Sequence, residues 1–229
     1  MANHDLKQTT HRRGFIGSLA TGAATLGMAA FTNPLQLNAQ PNFGDTSEAD
    51  EWFKKVKGKH RIVFDVTEPH EIYPFAWPKV FLVTNAATGT PETDASVVVI
   101  LRHNSIPYAM KNDLWGKYKF GEMFKIEDAA TNAPAEKNPF LDRPADNVPG
   151  LGPVQIGITD LQASGVMFCV CNAAITVFSA VAAQKMNMDA AAVKQEWTAG
   201  VLSGIQIVPS GVWAVGRAQE HQCAYCFVR

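Results

Sequence analysis

The sequence predicts a doubly wound α/β fold, a mainly parallel five-stranded sheet with helices on both faces. Three observations predict it. Short β-branched or apolar runs alternate with stretches of helical periodicity along most of the chain. Val97 to Leu101 and Val166 to Cys171 are continuously apolar or Cys, as strands buried on both faces require. The second of these runs ends at Asn172, where the apolar period changes from strand-like to helical.

The chain begins with an address. Met1 to Arg13 is polar and carries Lys7, Arg12 and Arg13, and Gly14 to Phe31 is then free of charge and diluted by Gly17, Gly22 and Gly27, the layout of a signal peptide. The adjacent arginines in Thr10-His11-Arg12-Arg13-Gly14-Phe15-Ile16 resemble the twin-arginine export signal, which implies a periplasmic or otherwise exported protein. Residues 1–39 are read as this leader, with cleavage after Ala39. An uncleaved anchor is the alternative, although the glycines and hydroxyls make a weak span. No stable membrane span is expected after processing. Residues 40–59, rich in Asp, Glu, Lys, Asn and Pro, read as a linker with a short surface helix around Glu48 to Val56.

Residues 60–229 form the α/β domain. Arg61 to Thr67 is the first strand, closed by Glu68, Pro69 and His70. A helix follows from Phe75 to Ala86, with Pro74 and Pro78 near its first turn. Ser96 to His103 is the second strand. Asn104, Ser105 and Pro107 then start a helix through Ile106, Met110, Leu114 and Tyr118. Residues 125–157 hold too many prolines and asparagines for a long element and predict a functional or mobile loop, a lid or an oligomer arm.

After a short helix from Thr159 to Ser164, Val166 to Cys171 is the third strand. Asn172 is placed to cap the next helix, whose stripe is Ala174, Val177, Phe178, Val181 and Ala182. Asp189 caps another through Val193 and Trp197 to Gly200. Gly204 to Pro209 is the fourth strand, Ser210 and Gly211 turn into a helix from Val212 to His221, and Ala224 to Val228 is the fifth strand.

With 229 residues, 47% of them hydrophobic, the chain can bury a full core. A net charge of -1 and the lack of any long basic run argue against a nucleic-acid partner.

In a parallel sheet every carboxyl end lies on one edge, where open α/β folds bind their ligands. That edge collects Glu68 and His70, His103, Ser105, Cys171 and Asn172, and Ser210. Helix starts after Ser105, Asn172 and Ser210 favour anions there and lower the pKa of a thiol. Cys171 is therefore expected to be reactive, with His103 orienting it or relaying its proton. Asn172, Ser210 and Ser105 are the candidate anion-binding residues.

Cys169 is expected to be inert core. Cys169 and Cys171 with Cys223 and Cys226 have the count for a four-thiolate site, but strands do not present ligands as knuckle turns do. No cofactor is expected. The alternative is a copper or zinc ion on Cys171, His103 and His70, in an oligomeric binding module without catalysis.

Ala163 to Ala174, followed by Ile207-Val208-Pro209-Ser210-Gly211 and Arg217-Ala218-Gln219-Glu220, resembles the DsrE/DsrF-like family over residues 60–229. Leu101-Arg102-His103 is similar to exported members of that family. The resemblance implies a five-stranded α/β fold, homo-trimers or hexamers, and sulfur relay in which a strand-end thiol, here Cys171, carries a persulfide. Its partners would be a small sulfur species or a sulfur-donor protein. The export leader, the proline-rich loop, Cys169 and the Cys223-Ala224-Tyr225-Cys226 pair depart from the sulfur-relay pattern.

Overall fold

A computed structural model describes residues 46–150 and 152–229, all within one compact unit, residues 43–229. The leader and its cleavage site lie outside the described residues.

In chain order the elements are α1 (Ser47–Phe53), β1 (His60–Val66), α2 (Tyr73–Ala87), β2 (Ala95–Leu101) and a 3-10 segment (His103–Ala109). Next come α3 (Asn112–Tyr118), α4 (Phe120–Phe124), the strands β3 (Asp146–Val148) and β4 (Gly152–Val154), and α5 (Ile158–Ala163). The remainder is β5 (Met167–Cys171), α6 (Asn172–Met186), α7 (Ala190–Ala199), β6 (Ile205–Val208), α8 (Gly211–Glu220) and β7 (Ala224–Val228).

The main sheet has five strands in the order β6-β5-β2-β1-β7, and every pairing in it is parallel. From β1 through β2 and β5 to β6 the chain steps one way, and β7 then returns to the far side of β1. Right-handed crossovers put the helices of the first three connections on one face and α8 on the other. The cores agree with this. Phe64, Val66, Val97, Val99, Leu101, Phe168 and Val170 pack with Trp115, Ile175 and Trp197 in the larger cluster. Val63, Val98, Ile100 and Cys169 pack under Phe53, Ala214 and Ala218 in the smaller one. The predicted fold class is the observed one, each strand within two residues of its expected ends.

Three local expectations are corrected. The helix expected from Asn104 through Tyr118 is two pieces, the 3-10 segment and α3, and α4 follows beyond it. Pro107 sits inside the 3-10 turn, and Lys119, in left-handed backbone at φ 51°, separates α3 from α4. Trp115 fixes the bend by donating its indole N–H to the Pro107 carbonyl at 3.1 Å.

The buried stripe of α6 is rotated by one residue. Ile175, Ser179, Ala182 and Ala183 face inward, whereas Val177 is 60% exposed. Small residues let α6 approach its neighbours closely, so Ser179 wins a place that hydropathy alone would give to Val177.

The cap of α6 is Cys171, not Asn172. The side chains of Asp189 and Ser210 do cap α7 and α8, accepting from Ala192 N at 2.8 Å and Trp213 N at 3.1 Å.

The proline-rich segment contains the β3–β4 hairpin and a bridge between Glu127 and Pro134. Its middle is clamped to the domain. Asn138, 5% exposed, donates to the carbonyls of Tyr108 and Met110 at 2.8 and 3.2 Å, and Phe140 stacks on Phe75 with centroids 4.1 Å apart. Gly121 of α4 adds a close approach. A Cβ there would lie 2.3 Å from Ala135 N and 2.4 Å from Ala135 O, both backbone atoms. Gly121→Ala is thus expected to cost about 1–3 kcal/mol by overpacking. Urea unfolding checks this, and a loss below about 0.5 kcal/mol, the ordinary scatter of surface changes, would show that the contact yields freely.

Candidate functional site

The carboxyl edge of the sheet is built by the ends of β1, β2, β5 and β6. Register places the residues there. Leu101 pairs with Val170, so the next residue along each strand, Arg102 and Cys171, meet at one level on neighbouring strands. Adjacent strands lie about 4.8 Å apart. Cys171 also pairs with Val208, and Ala173 N donates to the Pro209 carbonyl at 3.1 Å, which ties the first turn of α6 to the end of β6.

Cys171 is 6% exposed and ends β5 in extended backbone. Its sulfur accepts the N–H of Ala174 at 3.2 Å. A sulfur is a weak acceptor as a thiol and a better one as a thiolate, and the start of a 15-residue helix adds a positive dipole end. The other thiols lack this setting. Burial pushes the Cys169 and Cys226 thiols up, and pushes Cys223 up to about 11 against the opposing charge of Arg61. Little of any of these three is thiolate near neutral pH. All four cysteines are free.

The network beside Cys171 is not among the residues predicted from the sequence. Asp65, 1% exposed, receives Arg102 in a two-pronged pair, Nε to Oδ1 at 2.6 Å and Nη2 to Oδ2 at 2.8 Å. Tyr225 of the edge strand β7 donates its hydroxyl to the same Oδ2 at 2.8 Å. The hydrogen bond to Asp65 holds the Arg102 guanidinium above its ordinary range. Burial opposes this, and the charges of Asp65, Tyr225 and Cys171 add to it. Burial raises the Tyr225 phenol, and the hydrogen bond it donates to Asp65, with the carboxylate's charge, raises it further. The sequence signal was an Asp inside the apolar run from Ile62 to Val66, with an Arg directly after the next strand. A carboxylate buried as deeply as Asp65 needs such a partner.

The remaining predicted residues are spread along the edge. His103 follows Arg102 in left-handed backbone at φ 53°, is exposed, and lies 5.7 Å from the Phe178 ring by centroids. Its imidazole makes no hydrogen bond among the described residues. Ser105 is fully buried, its hydroxyl shared between the carbonyls of Val66 at 2.8 Å and Arg102 at 2.9 Å, so it braces the turn beneath Arg102. Asn172 is half-buried at the first position of α6. Ser210 caps α8, whose first residue Gly211 packs on the Arg102 stem. A Cβ there would lie 2.5 Å from Arg102 Cβ and Cδ.

His70 follows the end of β1, its ring 5.1 Å from that of Tyr73 by centroids. Among the described residues no three His, Cys, Asp or Glu side chains gather as a metal-binding group, and the set Cys171, His103 and His70 is not brought together. A cavity of about 390 Å³ opens on the same edge between Glu68, Asn104 and the α4 residues Met123 and Phe124. No helix among the described residues is long and apolar enough to cross a membrane.

No protein-family model matches the chain, and no curated protein matches it. Among solved structures it is similar to a protein of unknown function from Methanobacterium thermoautotrophicum, at 15% identity and a TM-score of 0.39, covering 74% of this chain and 100% of that one.

Proposed function

We propose that this chain is an exported DsrE-like protein that handles sulfane sulfur through Cys171, as a persulfide carrier or in a sulfurtransferase-like role. The observation that carries the reading is the Cys171 sulfur itself, which caps α6 at the carboxyl end of a central parallel strand and accepts the Ala174 N–H. A persulfide carries its negative charge on the outer sulfur near neutral pH, and a helix start with a neighbouring cation favours that charge.

His103, exposed on the same edge, is the proton relay in this reading, and Asn172 and Ser210 flank the two helix starts. The twin-arginine leader supports a periplasmic location, and the resemblance to the family supports assembly as a homo-trimer or hexamer, which the mass of the native assembly checks. A sulfur-donor protein or a small sulfur species is the partner. The copper or zinc alternative draws no support from the arrangement of Cys171, His103 and His70.

Treatment of the folded protein with thiosulfate or inorganic polysulfide, followed by peptide mass spectrometry, is expected to place one added sulfur on Cys171. Label confined to Cys223 or Cys226 would contradict the reading.

A further inference from the structure

Among the described residues, Arg102 is a charged group held in place at the level of Cys171 on the neighbouring strand. Two of its three guanidinium nitrogens are committed to Asp65, while Nη1 has no partner among the described residues and is not enclosed. Its position is over-determined. The carboxylate that grips it is buried and is itself gripped by Tyr225, Gly211 presses on its stem, and Ser105 braces its carbonyl. Register sets Arg102 level with Cys171 on the neighbouring strand, and neutralising Asp65 leaves one guanidinium edge unused. Such a fork, with one side fixed and the other free, is suited to a second anion.

We propose that Arg102 selects the sulfur donor, its free Nη1 edge binding the negative end of a small anionic sulfane-sulfur compound of the thiosulfate or polysulfide class as it meets Cys171. Asp65 and Tyr225 are positioning residues for that edge. The inference rests on the proposed sulfur chemistry for its substrate class, though not for the anion preference itself.

With thiosulfate the step is balanced without an outside oxidant. The Cys171 proton leaves to solvent by way of His103, and the thiolate attacks the outer sulfur. A Cys171 S–S bond forms, the S–S bond of thiosulfate breaks, and its electron pair leaves on sulfite. With polysulfide the leaving group is the chain shortened by one sulfur. Arg102 offsets the repulsion between an anionic donor and an anionic nucleophile, which a neutral donor does not encounter.

The test uses two alkylating probes with the same leaving group and different charge, iodoacetate and iodoacetamide. Their rates at Cys171 are measured by peptide mass spectrometry on the folded protein. The comparison variant is Asp65→Asn with Arg102→Gln, which replaces the ion pair by two amides of similar size and leaves no buried charge unpaired. Circular dichroism confirms its fold.

The iodoacetate to iodoacetamide rate ratio is expected to fall about five- to tenfold in the variant, and to fall in the wild type as salt is raised. An unchanged ratio, or a Cys171 that neither probe reaches, overturns the proposal. If the ratio falls while thiosulfate and polysulfide leave no sulfur on Cys171, the anion preference stands and the sulfur reading fails. If sulfur is loaded but the ratio does not move, only the role of Arg102 fails.

Discussion

Arg102→Ala is expected to remove about 3 kcal/mol of stability, near the low end for breaking a buried ion pair by deleting one partner. The two halves of the pair are unequal. The Asp65 side chain is 2% exposed and the Arg102 side chain 25%. Deleting Arg102 leaves a buried carboxylate with the Tyr225 hydroxyl as its remaining side-chain partner, whereas after Asp65→Ala the freed guanidinium can turn toward water. Asp65→Ala should therefore cost less, roughly 1–2 kcal/mol, the penalty for a lost hydrogen-bonded partner.

Urea unfolding of both variants reads this asymmetry directly. Equal losses, or a loss below about 1 kcal/mol for Arg102→Ala, the size of an exposed pair, would mean that the network is not the anchor described. The paired-amide variant should recover most of the loss, because it leaves no charge stranded.

The strand order of chemistry was legible in the sequence and its fine geometry was not. Buried parallel strands announce themselves as continuous apolar runs, so β2 and β5 could be placed from Val97 to Leu101 and from Val166 to Cys171. The caps Asp189 and Ser210 could be read from residue type because the competing chemistry around them is bland. At Asn172 the same rule misplaced the cap by one residue, since it ranks oxygen acceptors and gives sulfur no place, while the backbone turns into α6 at Cys171 itself.

The α6 stripe slipped for a related reason. Helical periodicity locates a face by hydropathy, but close helix packing rewards small size, and Ser179 lies inside while Val177 lies out. The Arg102–Asp65–Tyr225 network is long-range, joining residues 37 and 160 positions apart. No local rule reaches across that distance. What the sequence did offer was the oddity of each charge in an apolar strand setting, and the register of β1, β2 and β7 then brings them together.

Cys171→Ser is expected to abolish transferable sulfur altogether, because a hydroxyl cannot carry a persulfide. The fold should survive, since serine is itself a preferred helix cap and can accept the Ala174 N–H in place of sulfur. Cyanide reads the outcome. It removes the outer sulfur of a persulfide as thiocyanate and returns the thiolate, so thiocyanate released from polysulfide-loaded protein counts the sulfur held in transferable form. The wild type and the Cys223→Ser, Cys226→Ser double variant should each release one thiocyanate per chain and Cys171→Ser none. Equal release from Cys171→Ser, or release lost only in the double variant, would contradict the assignment of Cys171 as the sulfur-carrying thiol.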